Sequence, residues 1–363
     1  MDAARLRAAF PVLRETAYLN AGSCGPLAEA AARAGEAAAK LALEEGRAMP
    51  YFEGMLEVRG RLRAAYAGVL GARVEDVALT TSTSEGLVTV LLGLGLQPGD
   101  EVLTAPDEHP GLLGPLAAAR DRLGIELRTA PFAQLAEAVT PATKLVACSH
   151  VSWITGARAP AALGELDVPV LLDGAQGVGA VPVDVDALGC AFYSGAGQKW
   201  LCGPVGLGML WVAPAWRERL AATGPTYVAL ADPAAGIDAR VREDAGRFDT
   251  PTHALELLAA GLAAHDVLAE AGWEAVHERS ASLAQELVAR LEASGRRVAP
   301  RSDTTLIAWE VEGDTVAHAA ALAQQGIVVR SLPGFPYLRA SVGAWNDEDD
   351  LERLLAALDG LSA

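Results

Sequence analysis

Lysine is almost absent from this sequence. Of its 29 basic residues only Lys40, Lys144 and Lys199 are lysines, and all the others are arginines. Arginine carries charge in place of lysine, but its guanidinium stays protonated in proteins and cannot act as a neutral amine. A lysine that is kept in such a chain is therefore a candidate for amine chemistry.

Net positive charge and long apolar runs are also missing. The formal net charge is −17 and the arginines are scattered, so the chain lacks the basic face that nucleic acid or an anionic membrane requires. The longest apolar stretch, at 87–96, covers about half a membrane span, and 1–10 lacks the apolar core of a signal peptide. We therefore expect a cytoplasmic protein without a nucleic-acid or membrane partner.

Cysteine is scarce as well. The four cysteines stand in apolar or glycine-rich surroundings without paired spacing, at Cys24, Cys148, Cys190 and Cys202. Disulfide frameworks and zinc sites are recognised by such spacing. We therefore expect buried, reduced thiols and no metal site.

The apolar content is high enough for a large core. The 363 residues are 51% hydrophobic, and a chain of this length suggests roughly two domains. Short apolar runs, separated by helical or glycine-rich pieces, predict strands buried on both faces, as in a mostly parallel sheet covered by helices. The stretch 73–106 has the strand–helix–strand order of a βαβ unit.

The pattern changes after about residue 253. One long helical stretch continues to about residue 293, and shorter strand-like runs and a terminal helix follow it. We predict an α/β fold with three parts. These are an N-terminal segment 1–25 that packs with the C-terminal domain, a large domain 26–252 and a smaller α+β domain 253–363.

Three polar features fall at the predicted carboxyl ends of strands, where ligands bind in open α/β sheets. Ser82 and Glu85 have the spacing of a capping box, and such a helix N-terminus is either a phosphate site or simply a capped helix. Asp173 follows a strongly apolar strand, so it is either paired structurally or directed at a ligand. Lys199 follows the next strand and is either a surface lysine or the reactive amine.

Together these features suit pyridoxal phosphate (PLP). Its aldehyde forms a Schiff base with a lysine, its pyridine nitrogen is kept protonated by an aspartate, and its phosphate binds at a helix N-terminus. The sequence resembles the class V aminotransferase family of fold-type I PLP enzymes, which includes cysteine desulfurases, cystine C–S lyases and isopenicillin epimerases. The likeness runs from YLNAGSCGPL at 18–27 to YLRASVG at 337–343, and the pair DGAQGVG at 173–179 and QKWLCGP at 198–204 is its most specific part.

This resemblance implies roles around the cofactor ring. Lys199 is the Schiff-base lysine, and Asp173 is the partner of the pyridine nitrogen. Gln176 is the hydrogen-bond donor to the ring hydroxyl, and His109 is the histidine that stacks on the ring. The implied catalytic residues are therefore Lys199, Asp173 and His109.

The resemblance also implies residues for the phosphate and the substrate. Thr83 and Ser84 match the phosphate-binding turn. Thr252 matches a threonine that reaches the phosphate of the neighbouring subunit, which implies a homodimer. Arg339 matches the arginine that binds the substrate carboxylate by a bidentate pair.

The chain departs from the family pattern in several places. Many relatives read Ser-Gly-His-Lys, whereas this chain has Ala196 in place of the serine and Gln198 in place of the histidine, which implies weaker cofactor binding. Trp153 replaces the asparagine of desulfurases, as in the cystine-lyase branch, and we expect it to line the substrate pocket with Asn20. Segment 328–341 contains no cysteine, although desulfurases carry there the cysteine that accepts sulfur.

The missing acceptor cysteine disfavours ordinary desulfuration. We predict a PLP-dependent lyase that cleaves the C–S bond of cystine or of an S-substituted cysteine by β-elimination. Transamination or epimerisation of an amino acid uses the same residues and is the main alternative. A nucleotide-binding oxidoreductase is disfavoured because the glycines of 174–179 lack the spacing of a dinucleotide fingerprint. A PLP-fold protein without catalysis is disfavoured because Lys199, Asp173 and Arg339 are retained.

Overall fold

The computed structural model describes residues 2–361. Its strands are β1 (Ala17–Tyr18), β2 (Val77–Thr80), β3 (Glu101–Thr104), β4 (Glu126–Thr129), β5 (Thr143–Ser149), β6 (Val170–Asp173), β7 (Phe192–Ala196), β8 (Gly208–Val212), β9 (Leu306–Glu310), β10 (Ile327–Val328), β11 (Arg330–Ser331) and β12 (Tyr337–Ser341). Its α-helices are α1 (Ala3–Ala8), α2 (Glu29–Glu45), α3 (Met49–Leu70), α4 (Thr83–Gly93), α5 (Pro110–Leu123), α6 (Leu255–Ala271), α7 (Trp273–Ala293), α8 (Thr315–Gln324) and α9 (Glu348–Leu361).

The central sheet has seven strands in the order β2-β8-β7-β6-β5-β3-β4. Within residues 2–361, β8 pairs antiparallel with β2 and β7 and the other strand pairs of this sheet are parallel, which confirms the predicted mostly parallel sheet. Strands β6, β7 and β8 are buried along their whole length because helices cover both faces. The parallel strands β3, β5, β6 and β7 end at one edge of the sheet, where ligands of such folds bind.

The predicted βαβ unit has the right elements but not the expected pairing. Strands β2 and β3 flank α4 as predicted, yet four other strands lie between them in the sheet. The antiparallel strand β8 fills the place beside β2. The hydrophobic periodicity of a strand indicates whether it is buried but not which strand pairs with it. The sequence pattern therefore could not predict this long-range arrangement.

The helical stretch after residue 253 is not continuous. It forms α6 and α7, and Gly272 separates them with a φ of 85°. A residue with a side chain rarely adopts this left-handed region, so glycine allows the chain to turn between the two helices. The predicted helical stretch therefore consists of two helices.

The C-terminal part contains a three-stranded antiparallel sheet in the order β11-β12-β9. Strand β1 pairs with β10, with Ala17 opposite Ile327, so the first residues pack against this part of the chain. The boundaries at 25 and 252 stay predictions. None of the helices within residues 2–361 combines the length and the apolar character that a membrane crossing needs.

The cysteines are all unpaired. Cys148, Cys190 and Cys202 are buried, as expected, but Cys24 is exposed. The prediction was wrong for Cys24 because its glycine-rich surroundings form a surface turn over the loop that carries Lys199.

Candidate active site

Asp173 ends β6 in a fully enclosed position. It is 5% exposed, and its Oδ1 accepts a hydrogen bond of 2.9 Å from the backbone N–H of Ala175. Burial raises the pKa of Asp173, and the positive charge of Lys199 and the Ala175 N–H oppose this rise. The carboxylate therefore keeps acceptor capacity for a further donor.

Lys199 follows β7 and lies close enough to Asp173 for the two charges to interact. Burial lowers the pKa of Lys199 to about 8; the carboxylate of Asp173 opposes the shift and the charge of Arg339 adds to it. A substantial fraction of this amine is neutral near pH 8, which a nucleophile or a base requires.

The N-terminal turn covers the lysine loop. The N–H of Gly25 donates to the carbonyl oxygen of Gln198 over 2.8 Å. A Cβ at Gly25 would lie 2.1 Å from the Lys199 carbonyl oxygen, so only glycine permits this approach. The turn also contains Asn20, whose Oδ1 accepts from the Ser23 hydroxyl over 2.8 Å. The structure thus brings Asn20 and Gln198 to the same side of the sheet as Lys199.

His109 caps the N-terminus of α5. Its Nδ1 accepts a hydrogen bond of 2.9 Å from the N–H of Gly111, so the neutral ring carries its proton on Nε2. Burial, followed by the charges of Lys199 and Arg339, lowers the pKa of His109 to about 4. The ring packs edge-on against Trp153 with centroids 5.1 Å apart. His109 is therefore neutral at physiological pH and held in one orientation.

The residues that were predicted to bind a phosphate lie in the first turn of α4. Ser82 is the N-cap, and its side chain accepts from the N–H of Glu85 over 3.2 Å, as expected for the capping residue. Glu85 accepts from the N–H of Thr81 rather than from that of Ser82, which differs from a standard capping box. The Thr83 hydroxyl is buried and has no hydrogen-bond partner among residues 2–361. The Ser84 hydroxyl donates to the Gly111 carbonyl oxygen over 2.9 Å.

Gln176 lies between two elements of the site. Its Nε2 donates to the carbonyl oxygen of Gly22 over 2.7 Å, and its Oε1 accepts from the indole N–H of Trp200 over 3.0 Å. These bonds fix the amide orientation and leave one N–H of Nε2 for a ligand. The Oε1 of Gln198 is buried and lacks a partner within residues 2–361.

Arg339 enters the site from β12. It is 2% exposed, its guanidinium donates to the Trp153 carbonyl oxygen, and its Nε–H is unpaired within residues 2–361. Burial and the charge of Arg330 lower the pKa of Arg339 to about 9. A buried guanidinium with an unused donor suits a carboxylate ligand. Trp153 is held in turn by its N–H bond of 3.0 Å to the Asp107 carbonyl oxygen.

Three comparisons with known proteins bear on this arrangement. The model of the family Aminotransferase class-V matches residues 55–354. The chain belongs to the class V aminotransferase family. Isopenicillin N epimerase of Streptomyces clavuligerus is 29% identical across 95% of this chain and 94% of its own length. A probable cysteine desulfurase of Pseudomonas aeruginosa is 32% identical across 78% of this chain and 77% of its own length.

Solved structures of the cystine C–S lyase C-DES are also similar to this class V chain. The complex of C-DES with its reaction product cysteine persulfide has a TM-score of 0.90 and 27% identity, and covers 96% of this chain and 98% of its own. A C-DES mutant with glycine covalently linked to its PLP cofactor has the same TM-score and identity. The predicted fold-type I architecture is confirmed, and this protein is a PLP-dependent enzyme.

The unpaired polar groups of this class V enzyme fit PLP. The Thr83 hydroxyl and the N-terminus of α4 offer donors to a phosphate. Asp173 offers an enclosed carboxylate to a ring nitrogen, and Lys199 offers an amine with a lowered pKa to an aldehyde. Donors and acceptors that suit PLP are therefore present at one edge of the sheet.

Thr252 is exposed, whereas the other predicted site residues are buried or half-buried. Its neighbour Thr250 donates a hydroxyl hydrogen bond of 2.6 Å to Glu85 in the first turn of α4. The segment around Thr252 thus runs beside the phosphate turn and presents Thr252 outward.

The sequence did not identify four buried residues near Asp173, which are Glu108, Ser149, His150 and Tyr193. His150 donates its backbone N–H to the Asp173 carbonyl oxygen over 2.8 Å, and its Nδ1 lies 3.1 Å from the Tyr193 hydroxyl. Glu108 accepts hydrogen bonds from Ser149 at the end of β5. A usable signal existed for Glu108, because it is also an acid shortly after an apolar strand, as Asp173 is.

Proposed function

We propose that this enzyme cleaves the C–S bond of cystine or of an S-substituted cysteine by β-elimination. The observation that carries the proposal is the composition of the wall around Arg339. Segment 328–341 contributes a buried guanidinium and the aromatic rings of Phe335 and Tyr337, but it has no thiol to accept sulfur. The sulfur therefore leaves on a small molecule, and the likeness to C-DES supports this choice.

The residues that hold PLP in this proposal are those with unused donors and acceptors. Thr83 and the N-terminus of α4, including the backbone N–H of Ser84, bind the phosphate, and Gln198 contributes beside it. Asp173 holds a proton at the pyridine nitrogen, and Gln176 donates to the ring hydroxyl. His109 covers the ring as a neutral imidazole. When bound, PLP supplies an aldehyde for the amines and a ring that withdraws electrons from the substrate Cα.

Three other residues orient the substrate. Arg339 binds its α-carboxylate through two parallel N–H donors, with Asn20 and Trp153 lining the pocket. This fixes the Cα–H bond relative to the Lys199 amine, which takes the proton as general base. A neutral amine is needed for this step, and the lowered pKa of Lys199 provides it.

The bond changes balance without an enzyme thiol. The electrons of the Cα–H bond form a Cα–Cβ double bond, and the C–S bond breaks with its electrons on sulfur. From cystine the leaving group is cysteine persulfide, the product named for C-DES. The remaining enamine takes up water and yields pyruvate and ammonia.

Epimerisation is the second candidate, because isopenicillin N epimerase matches nearly the whole chain. Epimerisation and transamination use the same residues and differ in where the proton returns. An epimerase returns it to Cα from the opposite face, whereas an aminotransferase does not return it to Cα. In a lyase the Cβ–S bond breaks before the proton returns.

The reaction is tested with purified, PLP-loaded enzyme and L-cystine. We expect pyruvate and cysteine persulfide in equal amounts, and no pyruvate from Lys199→Ala. Loss of optical activity of an amino acid without pyruvate would favour an epimerase. Exchange of amino groups with a keto acid would favour an aminotransferase. Either of these results without C–S cleavage would overturn the proposed reaction.

We further propose a cytoplasmic homodimer in which Thr252 reaches the phosphate of the neighbouring subunit. The outward position of Thr252 beside the phosphate turn supports this. Mixing Lys199→Ala and Thr252→Val subunits tests it. One site of the hybrid dimer then has both native residues, and activity returns. Mixing restores nothing if Thr252 serves its own subunit.

A further inference from the structure

A second buried carboxyl lies next to Asp173. Glu108 is 4% exposed, and its Oε1 accepts the backbone N–H of Ser149 over 2.8 Å. Its Oε2 contacts the hydroxyl of the same serine. Ser149 is the partner of Asp173 in the β5–β6 register. Two enclosed carboxyl groups therefore flank one serine, and the reaction described above uses only one of them.

The two carboxyl groups face different charges. Asp173 interacts with the Lys199 ammonium and a fixed N–H donor. Glu108 faces the carboxylates of Asp173 and Asp107 and the thiol of Cys148, and no ion pair reaches it from residues 2–361. A buried carboxylate without a cation is costly, and a second one beside it adds repulsion. One of the two groups must therefore carry a proton, and the distribution of charges favours Glu108.

The contact with Ser149 suits a group that changes its protonation state. The N–H of Ser149 can only donate, so it requires an acceptor at Oε1 in either state. The Ser149 hydroxyl can both donate and accept. It donates to an ionised Oε2, and it accepts from a protonated one after rotation of a single hydrogen. Glu108 can thus gain or lose a proton without movement of heavy atoms.

We propose that Glu108 holds the proton of this buried carboxyl pair. It thereby keeps the carboxylate of Asp173 ionised for the pyridine nitrogen of PLP. Glu108 is a positioning residue, since it acts through Ser149 and Asp173 and directly precedes His109. Burial raises the pKa of Glu108 to about 7, with the carboxylates of Asp173 and Asp107 adding to the rise and the Ser149 hydrogen bonds opposing it. This role of Glu108 rests on contacts within the apoprotein and does not depend on which reaction the enzyme catalyses.

The proposal is tested through the stability of the apoprotein. A carboxyl whose pKa is raised on folding contributes stability that is complete below its unfolded value, about 4.3, and is lost as pH rises through about 7. Glu108→Gln keeps the size of the side chain and cannot ionise. We expect the Tm of the native chain to fall by a few degrees relative to Glu108→Gln between pH 6 and 8.

Burial lowers the pKa values of His109 and His150 to about 4. These histidines therefore affect the dependence of stability on pH mainly below pH 6.5, and they do so equally in the native chain and in Glu108→Gln. Infrared spectroscopy at pH 6 gives a second readout. The carbonyl stretch of a protonated carboxyl should be present in the native apoprotein and lost in Glu108→Gln.

Glu101→Gln is the matched control. Glu101 is also buried and bonded to a threonine hydroxyl, but Arg128 pairs with it and lowers its pKa. Its removal should lower Tm at neutral pH without flattening the decline between pH 6 and 8. Equal pH slopes for the native chain and Glu108→Gln, or an infrared band that survives the substitution, would overturn the proposal.

Discussion

Two buried aspartates of this protein differ in how completely they are paired. Asp249 accepts from Arg59, from both terminal nitrogens of Arg63 and from the N–H of Leu79, with the shortest bond at 2.6 Å. Among residues 2–361, Asp173 accepts one backbone hydrogen bond, and it interacts with the charge of Lys199. Both are 5% exposed. The fully hydrogen-bonded cluster around Asp249 stabilises the fold, whereas the carboxylate of Asp173 can still accept a hydrogen bond from a ligand.

Neutralising each aspartate should separate these roles with the largest effects. Asp249→Asn leaves the buried Arg59 and the half-buried Arg63 without their carboxylate, and arginine does not release its proton, so we expect a loss of about 3–5 kcal/mol of unfolding free energy. Asp173→Asn should change apoprotein stability by less than about 1 kcal/mol, because the neighbouring Lys199 is able to deprotonate. Its kcat should fall roughly a thousandfold. Denaturant unfolding and pyruvate release measure the two effects.

The comparison breaks if the effects are exchanged. A large stability loss in Asp173→Asn, with near-native activity in the PLP-loaded form, would make Asp173 a structural residue. Retention of native stability in Asp249→Asn would show that the arginine cluster is hydrated or rearranges. Asp244→Asn is a suitable control, because Asp244 pairs with Arg242 at a more exposed position.

The buried arginines Arg59 and Arg339 differ in the same way as the two aspartates. Arg59 is saturated by Asp249, His253 and the Thr250 carbonyl oxygen, whereas Arg339 keeps an unpaired Nε–H. Arg339→Lys keeps the charge but loses the planar pair of donors, so kcat/KM for cystine should fall about a hundredfold, or about 2.7 kcal/mol. The loss should appear mainly in KM. An unchanged KM would exclude carboxylate binding by Arg339.

The sequence was informative where one residue and its immediate context carry the signal. Lys199 stood out against an arginine-rich background, Asp173 followed an apolar strand, and Ser82 capped a helix as its spacing predicted. Contacts between distant segments could not be read in this way. The sheet position of β2 and the serine bond of Glu108 both depend on chain folding over tens of residues.

The amine of Lys199 should give a moderate pH effect. Its pKa of about 8 means that the neutral fraction rises roughly tenfold between pH 7 and 9. The rate at which PLP reconstitutes the apoprotein, followed by the visible absorption, should rise by this factor and then level off. Lys144 provides the control, because Lys144→Arg should leave this profile unchanged. A profile that still rises tenfold above pH 9 would mean that burial does not lower the pKa of Lys199.

The smallest predicted effect concerns two hydroxyls in the same turn. Thr83 has a buried hydroxyl without a partner among residues 2–361, whereas the Ser84 hydroxyl is bonded to Gly111. Thr83→Val should weaken PLP binding about fivefold, or about 1 kcal/mol, and should not destabilise the apoprotein, since no hydrogen bond of the apoprotein is lost. Ser84→Ala should instead lower apoprotein stability by about 1 kcal/mol. Fluorescence titration with PLP and thermal unfolding of each variant distinguish these outcomes. If both substitutions weakened PLP equally, hydrogen-bond saturation in the apoprotein would not identify the ligand-binding groups of this site.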